Sequence, residues 1–212
     1  MNIWLIRHGE SESNAGEMTS DPSLIGLTPN GFKQAKAIAQ SFKEEPSLIV
    51  TSKYKRARQT AQPTLERFNH VRHEEWDTIH EFTYLSPSHC RNTTILQRMP
   101  LVEAYWKRCD PHYCDGPGAE SFSDFMGRAS QTLERLNHNS KKFIAVFSHQ
   151  QFIAALLWLL NNKKAEISSD RMGEFRKFMA KTPIENGAVI KSWLHNPPYS
   201  QVKASNDSRT SS

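Results

Sequence analysis

The feature that most constrains this chain is a set of short, uninterrupted apolar runs. Residues 3–6 (Ile-Trp-Leu-Ile), 48–50 (Leu-Ile-Val) and 143–147 (Phe-Ile-Ala-Val-Phe) carry no polar alternation. A strand apolar at every position is buried on both faces, which is the condition of a parallel sheet covered by helices. The segments between these runs show helical spacing instead. Phe32, Ala35, Ile38, Ala39 and Phe42 form one stripe. Thr28 is the expected N-cap and Pro29 the first helical residue. Phe122, Phe125, Ala129, Leu133 and Leu136 form a second stripe, opened by Ser121 and Asp124 as a capping pair. Further helices are expected from about residue 55, from 95 to 107 with a kink or later start at Pro100, from 151 to 160, and within 170–179. Irregular and final strands are expected at 71–78 and 188–194. Strands alternating with helices predict an α/β fold with a mainly parallel sheet.

The residues at the carboxyl ends of the apolar runs are chemically distinctive. Arg7 and His8 stand directly after the first run, with Gly9 expected to let the backbone turn sharply and approach a ligand. Ser148 and His149 stand directly after the 143–147 run, before a helix. Open α/β sheets place ligands at the carboxyl ends of their strands. After the 48–50 run comes Ser52-Lys53-Tyr54-Lys55-Arg56-Ala57-Arg58-Gln59-Thr60-Ala61, which puts basic side chains at a helix N-terminus, an anion-binding arrangement.

The string Arg7-His8-Gly9-Glu10, with Asn14 four residues on, resembles the signature of the histidine phosphatase superfamily, the phosphoglycerate mutase-like enzymes. The 52–61 string resembles that family's second phosphate-binding segment, with Arg56 rather than Arg58 as the matching residue and Lys53 where a proline is usual. Glu81 matches the proton-donating glutamate, His149 the second active-site histidine, and Gln150 replaces a common glycine. The resemblance implies a three-layer α/β/α sandwich spanning about residues 1–195, with a helical cap insert at about 82–120. It implies a phosphomonoester hydrolase acting through a phosphohistidine on His8 without metal or cofactor. Arg7, Asn14, Arg56, His149 and Gln150 would bind the phosphate, and Glu81 would protonate the leaving alkoxide. The alternatives are phosphoryl transfer of the mutase type and a non-catalytic phospho-ligand-binding protein of the same fold.

Composition suits small anionic partners, which the resemblance makes small phosphorylated substrates. Lys and Arg number 27 against 22 Asp and Glu, a net +5 that suits small anions and is too mild to argue for nucleic acid. The basic run at 53–58 has no aromatic platform of the kind single strands stack on. Cys90, Cys109 and Cys114 are too few and too irregular for a disulfide framework or a zinc site, and they fit a reducing cytoplasm. No signal peptide is expected, and the apolar run at 152–160 is too short to span a bilayer. Arg91, Arg98 and Arg108 fall in the cap insert and are not ranked by the sequence, nor is Glu120, which either borders the pocket or favours a helix start. The oligomeric state is not legible. Residues 196–212, rich in Pro, Ser and Asn, are expected to be a disordered tail.

Overall fold

The computed structural model describes residues 2–162, 166–193 and 200–202. Six strands form one sheet: β1 (Asn2–Arg7), β2 (Leu48–Thr51), β3 (His73–Glu75), β4 (Phe143–Ser148), β5 (Val189–Trp193) and β6 (Ser200–Val202). Their spatial order is β3-β2-β4-β1-β5-β6. The four strands from β3 to β1 run parallel, and β5 and β6 add an antiparallel edge. Of the expected tail, Ser200–Val202 pairs with β5 as this edge strand; the rest of it lies outside the described residues.

The full burial of the apolar runs has a direct structural cause. Ile3 and Leu5 join one core with Leu48, Val50, Ile144 and Val146. Trp4 and Ile6 join the opposite core with Ile49, Ala145 and Phe147. Successive side chains on a strand point to opposite faces, so both faces must be covered. The second core is closed by α1 (Pro29–Ser41) and α2 (Lys55–Arg67). The first is closed by α5 (Phe122–Asn137), α6 (Gln150–Asn161) and α7 (Ser169–Lys181). The three-layer sandwich is thus present.

The capping signals act as read. Thr28 accepts from the Gly31 amide with Pro29 in the first turn, and Ser121 and Asp124 form a reciprocal capping box. Two stripe residues differ from expectation. Phe32 is 43% exposed on the outer side of α1, and Phe42 packs in the core from just beyond the helix end. Between residues 82 and 120 the chain forms a four-residue helix, α3 (Pro87–Cys90), and α4 (Ile95–Arg108). No later start occurs at Pro100, because Thr94 and Gln97 form a reciprocal capping box that opens α4 at Ile95. Only Tyr105 and Trp106 of α4 are buried, while Leu96 is 81% exposed. The apolar residues of α4 do not form a core stripe.

Candidate active site

Strand register explains how two histidines distant in sequence meet. Arg7 of β1 pairs with Ser148 of β4, and the His8 amide donates to the Ser148 carbonyl at 3.0 Å. His8 and His149 are therefore the next residues on adjacent parallel strands, leaving the same sheet edge. Their rings lie 5.2 Å apart edge to face. β2 ends beside them, since Thr51 pairs with Phe147. Ser52, the residue after β2, meets His149 Nε2 through its hydroxyl at 2.8 Å.

The signature loop is held by close backbone packing. A Cβ on Gly9 would stand 2.6 Å from the Gly31 carbonyl oxygen, and one on Gly31 would stand 2.1 Å from the Glu10 carbonyl oxygen. Gly9 does not adopt the left-handed backbone conformation. It is needed instead because the first turn of α1 lies directly against the loop. The Gly9 amide donates to Thr60 Oγ1 at 3.0 Å, which anchors the loop to α2. Asn186 Nδ2 donates to the His8 and Gly9 carbonyls, each at 3.3 Å, and to Asn14 Oδ1 at 3.0 Å.

These contacts set the chemistry of His8. Its Nδ1 meets the Gly9 carbonyl at 2.7 Å. A carbonyl only accepts, so Nδ1 carries the proton and Nε2 carries the lone pair. That lone pair accepts from Arg56 Nε at 3.0 Å. Burial, then the nearby Arg56 and Arg7 charges, pushes the His8 pKa well below its ordinary value. His149 is fully buried and shifted the same way by burial, then by Arg56 and His8. Both imidazoles are neutral at neutral pH in the unliganded site. Arg7 and Arg56 are 9% and 7% exposed, and burial lowers the pKa of each, Arg56 to about 10. Both guanidiniums stay charged at neutral pH. Arg7 Nη1 donates to the Ile184 carbonyl at 2.5 Å and Arg56 Nη1 to the Pro22 carbonyl at 2.6 Å. Arg7 Nε and His149 Nδ1 are buried without a hydrogen-bond partner among the described residues.

Glu81 sits at the N-terminus of α6. Its Oε1 accepts from the amides of Phe82 at 3.1 Å, Gln151 at 3.1 Å and Phe152 at 3.3 Å, while Oε2 has only the Gln151 amide at 3.4 Å. The backbone that carries it is clamped by Arg128 of α5, which donates to the carbonyls of Thr78 (2.8 Å), His80 (2.7 Å) and Glu81 (3.2 Å). Arg128 is oriented by Glu120 through two short ion-paired contacts, at 2.8 and 2.6 Å. Glu120 also accepts from the Thr83 amide at 2.9 Å. Its role is thus to hold the Glu81 loop, not to border the pocket.

Arg7, His8, Asn14, Arg56, Glu81 and Gln150 line one pocket of about 370 Å³. His149 lies behind that wall, with the Tyr54 ring 5.1 Å from it and Arg56 over Tyr54 at 5.0 Å. Arg58 points elsewhere, exposed and 3.7 Å from Glu75. Arg98 lines the pocket; Arg91 is exposed outside it, and Arg108 stacks on Tyr113 at 3.9 Å. Arg128 and Asn186 carry no sequence signal, because most of their partners are carbonyls far away in the chain. Ser52 and Tyr54 stand in the basic string, where the sequence assigns them no role.

The sequence profile described as histidine phosphatase superfamily (branch 1) matches residues 3–175. The chain belongs to this superfamily. Among its relatives, a Caenorhabditis elegans 6-phosphofructo-2-kinase/fructose-2,6-bisphosphatase is 34% identical over 163 residues, covering 74% of this chain and 33% of the relative. A human homologue of the same name, form 4, is 28% identical over 92% of this chain and 40% of its own length. The chain thus spans well under half of these longer relatives. An adenosylcobalamin/alpha-ribazole phosphatase of Salmonella typhi is 28% identical over 74% of this chain and 78% of its own. A mycobacterial glucosyl-3-phosphoglycerate phosphatase superposes with a TM-score of 0.68 at 21% identity, covering 94% and 96% of the two chains, which establishes a shared fold. Several of these relatives are named as phosphatases or bisphosphatases. Among the described residues no helix is long and apolar enough to cross a membrane.

Proposed function

We propose that the chain hydrolyses small phosphomonoesters through a phosphohistidine on His8, with protein cations supplying the charge that other phosphatases draw from metal ions. The observation that carries this reading is the tautomer of His8. The Gly9 carbonyl fixes the proton on Nδ1 and leaves a neutral, lone-pair-bearing Nε2 in the pocket wall between two arginines. A phosphoryl group placed there meets a nucleophile that needs no deprotonation. Arg56 Nε, which occupies the lone pair in the free site, transfers its hydrogen bond to a phosphate oxygen. The unpartnered Arg7 Nε and His149 Nδ1 are further donors for oxygens of the same group. The Asn14 amide is a third, since its carbonyl already accepts from Ser11 and Asn186.

His8 Nε2 forms a bond to phosphorus as the phosphorus–oxygen bond of the ester breaks, and protonated Glu81 gives its proton to the leaving alkoxide. Glu81, now a carboxylate, takes a proton from water as that water attacks phosphorus and the phosphorus–nitrogen bond breaks. Gln150, at the first turn of α6, borders the phosphate end. Three free cysteines fit a reducing, cytoplasmic setting. The test is rapid quench with a labelled phosphomonoester in the presence of a chelator. Wild type is expected to trap acid-labile, alkali-stable label, and His8→Ala to lose label and turnover together. Label retained in His8→Ala, or turnover abolished by the chelator, refutes the reading.

A further inference from the structure

The two imidazoles differ in what their ring nitrogens meet. His8 Nδ1 faces a carbonyl, which only accepts, so its proton is fixed. His149 Nε2 faces the Ser52 hydroxyl at 2.8 Å, a group that can donate or accept. Ser52 is itself held in place. It is fully buried, and its amide donates to the carbonyl of Phe147, two residues before His149, at 3.0 Å. The same turn lays the Tyr54 ring 5.1 Å from the imidazole. Ser52 does not line the pocket, so whatever it does to a ligand it does through His149.

Counting hydrogen bonds assigns the unliganded state. The Tyr54 amide donates to Ser52 Oγ at 3.4 Å, and among the described residues His149 Nε2 is the other group that meets this hydroxyl. A proton on Nε2 would leave both the Ser52 hydrogen and the Nδ1 lone pair without a partner. With Ser52 donating to Nε2, the proton sits on Nδ1, and that N–H alone is left over. It is the donor that the hydrolase reading gives to a phosphate oxygen.

A charge on this ring is opposed from every side. Arg56 of α2, Arg128 of α5, His8 after β1 and His80 before Glu81 all face it, and it occupies the N-cap of α6, the positive end of that helix. A phosphate dianion offsets these charges. The added proton then goes to Nε2, where a buried N–H with no acceptor would oppose the change. A hydroxyl that rotates about its Cβ–Oγ bond removes this obstacle.

We propose that Ser52 is the positioning residue of His149: its hydroxyl donates to Nε2 while the ring is neutral and accepts from Nε2–H once a bound phosphate dianion has drawn a proton from solvent onto the ring, so that Nδ1–H faces the phosphate in both states. This rests on the hydrolase reading above only in placing the phosphate beside His8.

Two measurements on the intact protein test it. In spectra of the unliganded protein labelled with 15N-histidine, neutral His149 is expected to carry its proton on Nδ1, with His149→Asn identifying its signals by their loss. Ser52→Ala is expected to show a mixture of the two tautomers. Calorimetric titration with inorganic phosphate, at a mildly alkaline pH and in buffers of different ionisation enthalpy, counts protons taken up on binding. Wild type is expected to take up about one proton per phosphate bound, and Ser52→Ala less than half of that, with affinity about tenfold weaker. Ser52→Thr, which keeps the hydroxyl, is expected to match wild type. Loss of packing alone would weaken binding without changing the proton count. If Ser52→Ala does not fold, Ser52→Cys, close in size with only a weak S–H donor, is read in its place. A wild-type His149 protonated on Nε2, no proton uptake in wild type, or equal uptake with and without the hydroxyl overturns the proposal. Neither readout needs turnover, so both stand if no phosphoenzyme forms and the hydrolase reading fails. A normal phosphoenzyme alongside any of the three contrary results overturns the role of Ser52 alone.

Discussion

Glu81→Gln separates proton donation from structure unusually well in this protein. Oε1 carries the backbone hydrogen bonds from Phe82, Gln151 and Phe152, while Oε2 has a single long contact. A glutamine can place its carbonyl oxygen at Oε1 and keep the α6 cap, losing only the group that titrates. The thermal midpoint is therefore expected to stay near wild type, with a stability change within about 0.5 kcal/mol. The rate effect depends on the leaving group. A positioned general acid contributes about 10²–10⁴-fold, or roughly 3–5 kcal/mol of barrier, when the leaving alkoxide is strongly basic. Nitrophenolate leaves without a proton, so its rate is expected to fall by less than about tenfold. Steady-state kcat/KM for an alkyl phosphate and for p-nitrophenyl phosphate, measured on wild type, Glu81→Gln and Glu81→Ala, makes the comparison. Glu81→Ala also removes the acceptor from the α6 N-terminus and is expected to cost about 1 kcal/mol of stability. Equal losses with both substrates refute the proton-donor role. So does a Glu81→Gln protein that melts as early as Glu81→Ala, because the residue would then act only by capping.

Two further outcomes test the geometry around His8. Gly31→Ala, at a helical position where alanine normally adds about 1 kcal/mol, is expected instead to destabilise by about 1–3 kcal/mol in urea titration, because the new Cβ would sit 2.1 Å from the Glu10 carbonyl oxygen; a stabilised variant would show that the loop has room. His8 and His149 have folded-state pKa values below the unfolded 6.5, so the unfolded chain binds more protons in the window beneath that value. Stability is then expected to be level above pH 6.5 and to fall as pH drops below it, by up to about 1.4 kcal/mol per unit for each ring; a thermal midpoint unchanged between pH 6.5 and about 5 would contradict the neutral-imidazole assignment.

How legible each part was depended on whether its cause was local. The strands were readable because unbroken apolar runs such as 143–147 need cover on both faces, and the two separate cores supply it. Thr28, Ser121 and their partners were readable because caps act within three residues. The exposure of Leu96 and Met99 on α4 was not legible, since helical spacing marks a face but not whether anything covers it. The pairing of His8 with His149 came from resemblance, because strand register between β1 and β4 is not written in either segment. Arg128 was invisible for a different reason. Besides Glu120, its partners are backbone carbonyls at 78–81, and any sequence presents those. The packing of Gly9 against Gly31 was not legible, because a glycine that avoids a clash looks the same in sequence as one that enables a turn.

The free site carries two fixed cations and two neutral rings, and that asymmetry suits the order of events. Four positive charges within one buried cluster would repel strongly, and burial lifts the proton from each imidazole before the guanidiniums yield theirs. A phosphate dianion reverses the local field at both rings. In the proposed mechanism His8 cannot respond by protonating at Nε2 once that atom bonds to phosphorus, and its Nδ1 proton already rests on the Gly9 carbonyl. His149 has a ring nitrogen with no partner, and it is the group whose protonation the anion can favour. In the proposed mechanism, the same ligand charge that binds to the arginines leaves one imidazole as the nucleophile and makes the other a cation beside it. This division follows from one difference between two otherwise matched strand ends: Nδ1 is occupied by the Gly9 carbonyl in His8 and has no partner among the described residues in His149.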